Sequence, residues 1–180
     1  SAMSGTTNKL ISKSEKITKN FDKSEYDVLV SSGEQISCAL IAGRLKSLGY
    51  TSRSFLGWQI PIISDLNHKS SKILKIVKVN LLKYLKKGGI PIIAGFQGVN
   101  LSNRVTTLGR GASDYTAIMI AKFFKASKCI IYTDVQGVMT TDPRTFKNAK
   151  KIKQISYEEM LEMSSMGSKV MQSNSVQDAR

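Results

Sequence analysis

The sequence predicts an α/β domain in which an open, largely parallel sheet is sandwiched by helices. Three observations carry this. Helical and extended patterns alternate along the chain, the order that builds strand–helix–strand units. The extended runs are short and rich in β-branched residues, as in Ile90-Pro91-Ile92-Ile93, whereas the helical runs are longer and space their apolar residues for one face. Glycines punctuate the junctions at Gly49, Gly88-Gly89 and Gly109.

In order, residues 8–17 read as a helix after a Gly5-Thr6-Thr7 turn. Residues 28–30 read as extended and feed a helix over 34–48, with Ile36, Ala39, Leu40, Leu45 and Leu48 apolar and Gly49 as its stop. Residues 52–56 are short and extended, and 64–71 are polar and loop-like. Residues 73–79 alternate apolar side chains with lysines, the mark of a half-buried strand. A helix over 79–87 ends at Gly88-Gly89, and 90–96 then reads as a buried strand with Pro91 near its start. Residues 114–126 form the next helix and 128–133 another strand. A last short helix over 157–163 starts behind Ser156, with Glu159 placed for a capping box.

Composition bounds the function. At 180 residues the chain is about one domain long, read as a single domain over 1–180. No apolar run approaches the roughly 20 residues that span a bilayer, and no cleavable signal pattern opens the chain, so the cytoplasm is the default. Cys38 and Cys129 lie in apolar segments and read as small core residues. With two cysteines and one histidine, His68, there is neither a disulfide framework nor a zinc set. The net charge of +14 suggests anionic ligands, but 21 of the 27 basic residues are scattered lysines. They are poorly interleaved with aromatics, which favours a solvated surface over a nucleic-acid site.

Chemistry concentrates in residues 106–115, Thr-Thr-Leu-Gly-Arg-Gly-Ala-Ser-Asp-Tyr. Gly109 and Gly111 let backbone approach a ligand, the helix that follows offers free N–H groups, and Arg110 adds a fork of donors for a carboxylate or phosphate. Asp114 stands beside this anion cradle. A plain capped turn accounts for Ser113 and Asp114 equally well. A second segment, residues 131–144, places Thr133 and Asp134 at the carboxyl end of a strand, where open α/β sheets bind ligands. Arg144 follows Asp142-Pro143, and Lys169 lies past Gly167. These groups suit a nucleotide and its phosphates, although ordinary turn chemistry also produces such a segment. In a third segment, Ser31-Ser32-Gly33-Glu34, Glu34 either takes a substrate amine or is a first-turn acid favoured by the helix dipole.

Together these segments resemble the catalytic domain of the aspartate kinases in the amino-acid kinase family. The pair Ser31-Ser32-Gly33-Glu34 and Thr107-Leu108-Gly109-Arg110-Gly111-Ala112-Ser113-Asp114 is the strongest part of the match, and Tyr157-Glu158-Glu159-Met160 narrows it. The resemblance implies the amino-acid kinase fold and transfer of the ATP γ-phosphoryl group, with Mg²⁺, to the β-carboxylate of L-aspartate. It implies that Arg110 grips a carboxylate of aspartate, that Gly111, Ala112 and Ser113 line the pocket, and that Glu34 binds the ammonium with Thr7 nearby. Thr133, Asp134 and the run Met139, Thr140, Thr141, Asp142, Pro143 and Arg144 would hold ATP, with Lys169 near the phosphates. Glu34, Asp114 and Asp134 are the acidic residues expected to assist catalysis; no set of protein ligands for a metal is assigned. A homodimer is the expected assembly.

The chain departs from the family at both ends. Nothing matches the Lys-Phe-Gly-Gly loop, and the sequence stops before the last strands of the kinase domain and the regulatory (ACT) domains. Allosteric control is therefore expected to be missing, and a catalytically defective remnant that binds nucleotide or a partner chain is the alternative. Met139 replaces a common tyrosine, Ala112 the second glycine of a Gly-Gly pair, and Gln172-Ser173 a His-Pro.

Overall fold

The computed structural model describes residues 1–109, 111–133, 135–168, 171 and 173–179. The chain divides into two compact units, Ser1–Thr116 and Ala117–Arg180.

The first unit opens with α1 (Thr6–Ile17) and the 25-residue α2 (Lys23–Ser47). Asp22 caps α2 by accepting the N–H groups of Ser24 at 2.8 Å and Glu25 at 3.0 Å. This corrects two expectations. Residues 28–30 are helical rather than extended, and Glu34 lies in the middle of a helix rather than in its first turn. The reason is a cap lying earlier than the sequence pattern suggests, together with serines that satisfy themselves inside the helix. Ser31 Oγ donates to Val28 O and Ser32 Oγ to Leu29 O, so neither hydroxyl has to end it. Asp27, Val30, Glu34, Cys38 and Ala42 are buried along α2 at helical spacing.

After α2 come β1 (Ser52–Phe55), β2 (Ile62–Ser64), β3 (Ile73–Ile76), α3 (Val79–Lys86), β4 (Ile90–Ile93), β5 (Gln97–Val99) and β6 (Val105–Thr107), of which β1, β4 and β6 pack against α2. β1 and β4 pair in parallel, Ser52 opposite Ile90 and Phe55 opposite Ile93. The other four strands form a second sheet in the order β3-β2-β5-β6. There β2 and β5 are parallel, while β2–β3 and β5–β6 are antiparallel. The open α/β architecture is as expected; among the described residues its strands divide into a parallel pair and a four-stranded sheet of mixed pairing. Two tight connections reverse the chain. One is the 65–72 loop; the other is 100–104, where Asn100 Oδ1 accepts from Ser102 N and Arg104 N. Val30, Cys38, Phe55, Ile60, Ile62, Ile76, Leu81 and Ala94 form the buried apolar core.

Gly33 gives α2 a close approach to the chain's first residues and α1. A Cβ there would lie 3.0 Å from Ala2 Cβ and 3.2 Å from Thr6 Cγ2. Helix α4 (Ala112–Phe124) begins in this unit.

In the second unit, α5 (Tyr157–Ser165) packs with α6 (Ser173–Ala179), and Met160 and Val176 are buried. The expected capping box is present, with Ser156 Oγ accepting from Glu159 N at 3.2 Å and Glu159 Oε2 accepting from Ser156 N at 2.9 Å. The expected strand at 128–133 is not formed, and Tyr132 is 92% exposed. A strand exists only through a ladder with a neighbour, and no described segment pairs with this one. Cys129 is exposed, against expectation, whereas Cys38 is buried with Sγ 2.8 Å from Ile92 O.

Candidate functional site

The first unit holds a buried carboxylate with one oxygen unsatisfied. Glu34 is 4% exposed. Its Oε1 accepts the N–H of Ala2 at 3.0 Å, and its Oε2 is buried without a hydrogen-bond partner among the described residues. Burial pushes its carboxyl above the usual range, and the Ala2 N–H offsets this only in part. A buried acceptor left open this way is costly unless something occupies it. A primary ammonium supplies the charge and the donor it lacks. One turn on, Ser37 Oγ donates to Ser1 O at 2.6 Å and holds the chain's first residues against α2.

β6, which packs against α2, leads into the 106–115 segment. Thr106 and Thr107 are buried. The start of α4 lies close under the turn after β4: a Cβ on Gly95 would sit 3.2 Å from Ser113 Cα. Thr116 Oγ1 accepts Phe96 N at 3.0 Å and donates to Ala112 O at 2.8 Å, locking the first turn of α4 to that backbone. Gly111, with φ 70, is exposed, Ala112 is buried, and Ser113 is half-buried. Burial raises the carboxyl of the half-buried Asp114.

The second unit contains an open cleft of about 900 Å³ lined by Thr133, Gly137, Met139, Thr141, Asp142, Pro143, Arg144, Met163, Met166 and Ser168 among others. Its lining combines three unbranched methionine side chains with hydroxyls and a cation. This suits a flat ring with a polar, anionic tail. Arg144 is engaged with Asp142 through Nε at 3.1 Å and Nη2 at 2.8 Å. Met139 forms an antiparallel bridge with Lys151, which closes the 139–151 turn. Among the described residues, no three His, Cys, Asp or Glu side chains are grouped to hold a metal ion.

The sequence profile of the amino acid kinase family matches residues 1–179. The chain belongs to this family. Within the amino acid kinases, it is 48% identical over 180 residues to an aspartokinase of Rickettsia felis, covering 98% of this chain and 45% of that one. It is 46% identical to an aspartokinase of Geobacillus stearothermophilus, covering 100% of this chain and 44% of the relative. The structure superposes on E. coli aspartokinase III, solved in complex with aspartate and ADP, with a TM-score of 0.84 at 31% identity, covering 96% of this chain and 39% of the other. The chain thus spans less than half the length of the curated relatives it matches.

Of the residues singled out from this amino acid kinase sequence, Glu34, Gly111, Ala112, Ser113 and Asp114 lie in the first unit. Thr7, in the first turn of α1, is half-buried there as well. Thr133, Met139, Thr141, Asp142, Pro143 and Arg144 come together around the cleft of the second unit; Thr140 is exposed beside them, its Oγ1 accepting from Lys150 N. Arg110, Asp134 and Lys169 lie outside the described residues. Sequence reasoning missed Asp27, His68 and Gln97. Gln97 is fully buried, its Nε2 donating to Ser31 O at 3.3 Å, and it ties β5 to α2. A buried-polar signal needs the fold: Asp27 beside Val28-Leu29-Val30, Gln97 between Phe96 and Gly98, and His68 in a polar loop share no local sequence pattern.

Proposed function

We propose that this chain carries the amino-acid and nucleotide sites of an aspartate kinase. In this reaction a β-carboxylate oxygen of L-aspartate attacks the γ-phosphorus of MgATP. An O–P bond forms, the bond from that phosphorus to the β,γ-bridging oxygen breaks, and ADP leaves with 4-phospho-L-aspartate as product. The observation that carries this reading is Glu34, a buried carboxylate with Oε2 unpartnered in a chain similar to aspartokinases. It is the acceptor that an amino-acid ammonium needs.

The nucleophile is already ionised at neutral pH, so no general base is required. The protein's work is to align two anions and offset their charge. Glu34 would take the ammonium, and Arg110 a carboxylate, while Thr7 and Gly111–Ser113 shape the pocket. The cleft of Thr133 and Met139–Arg144 would take the nucleotide, joined by Asp134 and by Lys169 at the phosphates. Mg²⁺ would arrive on ATP. Asp114 and Asp134 would order the cationic groups. The two units would act as one kinase domain in a cytoplasmic homodimer, which sedimentation equilibrium checks.

The test has two arms. Trapping the acyl phosphate with hydroxylamine should give aspartyl hydroxamate from MgATP and L-aspartate. Calorimetry should show L-aspartate binding by itself. Binding without hydroxamate would leave the recognition sites in place and remove phosphoryl transfer from this polypeptide. No binding of either ligand by the folded protein would overturn the reading.

A further inference from the structure

His68 lies in the polar loop between β2 and β3, yet it is only 18% exposed. Its ring Nδ1 donates to Asp27 Oδ2 at 2.6 Å. Asp27, at 0% exposure, is a point of convergence. Lys69 N donates to both of its oxygens at 3.1 Å, and Thr107 Oγ1 donates to Oδ1 at 2.5 Å. Lys69 holds a left-handed φ of 67, which a lysine adopts only at some cost. The same loop grips Thr107 from its other side, since Ser71 N and Ser71 Oγ both donate to Thr107 O at 2.9 and 3.0 Å. Both polar ends of Thr107 are therefore held. Asp27 sits on the buried side of α2 about two turns before Glu34, and Thr107 immediately precedes the Leu108–Asp114 segment.

We propose that His68 is a positioning residue for the amino-acid side of the site. By clasping Asp27, it fixes the distance between the helix that bears Glu34 and the strand exit that bears the carboxylate-binding loop. This rests on the proposed function, because it is an amino acid, with an ammonium and a carboxylate a set distance apart, that makes such a spacing matter. Neither His68 nor Asp27 touches substrate. Their role is to hold two other segments in register, and misplacing a binding group by an ångström is expensive.

The test compares His68→Ala with His68→Asn, whose amide nitrogen can replace Nδ1 as a donor to Asp27. Calorimetry should show L-aspartate binding weakened about tenfold in His68→Ala, with MgATP binding changed by less than about twofold. His68→Asn should recover most of the aspartate affinity. A purely structural role would weaken both ligands together or neither, and either result overturns the inference. Hydrogen exchange of a peptide covering residues 106–116 reads the clasp without substrate. It should speed up in His68→Ala and return toward the parent rate in His68→Asn. If the parent binds no aspartate while exchange follows this pattern, the substrate reading fails and the clasp stands. Unchanged exchange in His68→Ala overturns the clasp itself.

Discussion

Asp27 and Glu34 share the buried side of α2, and they differ in how their charge is met. Each oxygen of Asp27 receives hydrogen bonds from other segments of the chain, whereas Glu34 Oε2 receives none from the described residues. One carboxylate is a structural tie and the other is kept open. That contrast, within one helix, is what supports the proposal that Asp27 builds the site and Glu34 serves it.

Replacing Glu34 by Gln should trade function for stability. An amide keeps an acceptor for the Ala2 N–H but removes the charge that would hold an ammonium. L-aspartate affinity should drop by about tenfold to a hundredfold, the value of a hydrogen bond to a charged group, about 1.5–3 kcal/mol. Calorimetry checks this, and unaltered affinity would remove Glu34 from substrate binding.

The pH dependence of the same residue has a definite sign. Burial raises the folded-state carboxyl of Glu34 above its unfolded value. Between the two values the folded protein binds more protons, so this group lowers stability as pH rises through that window. Below the unfolded value the penalty is absent. Denaturant unfolding should therefore show Glu34→Gln more stable than the parent at neutral pH, with the advantage fading as the solution is acidified into the glutamate range. L-aspartate binding by the parent should weaken over the same acid range, as the carboxylate that takes the ammonium is lost.

Gly33→Ala pits two effects against each other. Alanine in a helix interior normally gains about 0.5–1 kcal/mol over glycine. Here the added methyl would meet Ala2 Cβ at 3.0 Å and Thr6 Cγ2 at 3.2 Å, and overpacking costs about 1–3 kcal/mol. The clash should win. A lower denaturation midpoint with an unchanged slope is the expected result, and a gain in stability would mean that α1 shifts freely.

Arg144→Ala should act on the nucleotide alone. Arg144 lines the second unit's cleft and, among the described residues, is held by exposed contacts to Asp142, which contribute little to stability. MgATP affinity should decline by about tenfold, as expected for loss of one charge-assisted contact to phosphate. L-aspartate binding and the melting temperature should stay close to the parent's. Equal loss of both ligands would place Arg144 elsewhere in the mechanism.

Ser156→Ala tests whether the cleft depends on α5. It removes one half of the capping box and should cost about 1 kcal/mol. Met163, on the same helix, lines the cleft, so nucleotide affinity should also weaken. Circular dichroism and calorimetry on the same sample would show whether the two losses go together.

What the sequence by itself determined is what neighbouring residues decide among themselves. The capping box joins Ser156 to Glu159 across one turn, α3 stops at Gly88-Gly89, and Thr133, Met139, Thr141, Asp142, Pro143 and Arg144 line one cleft because they are close along the chain. The capping box and the helix stop follow from local propensity and turn chemistry, and the cleft lining from closeness along the chain. The tertiary structure decided the rest, because it depends on partners far apart in sequence. Ser31-Ser32-Gly33 reads as a helix entrance until Asp22 is seen to cap the helix earlier and α1 to lie across Gly33. Residues 128–133 have strand composition but no described neighbour to complete a ladder. Asp27, His68 and Thr107 look like ordinary polar residues until the fold buries them together, and Glu34 becomes an unsatisfied acceptor only once water is excluded from its second oxygen. Burial is a property of the assembled chain, and the cost of a buried charge, which marks this site, appears only there.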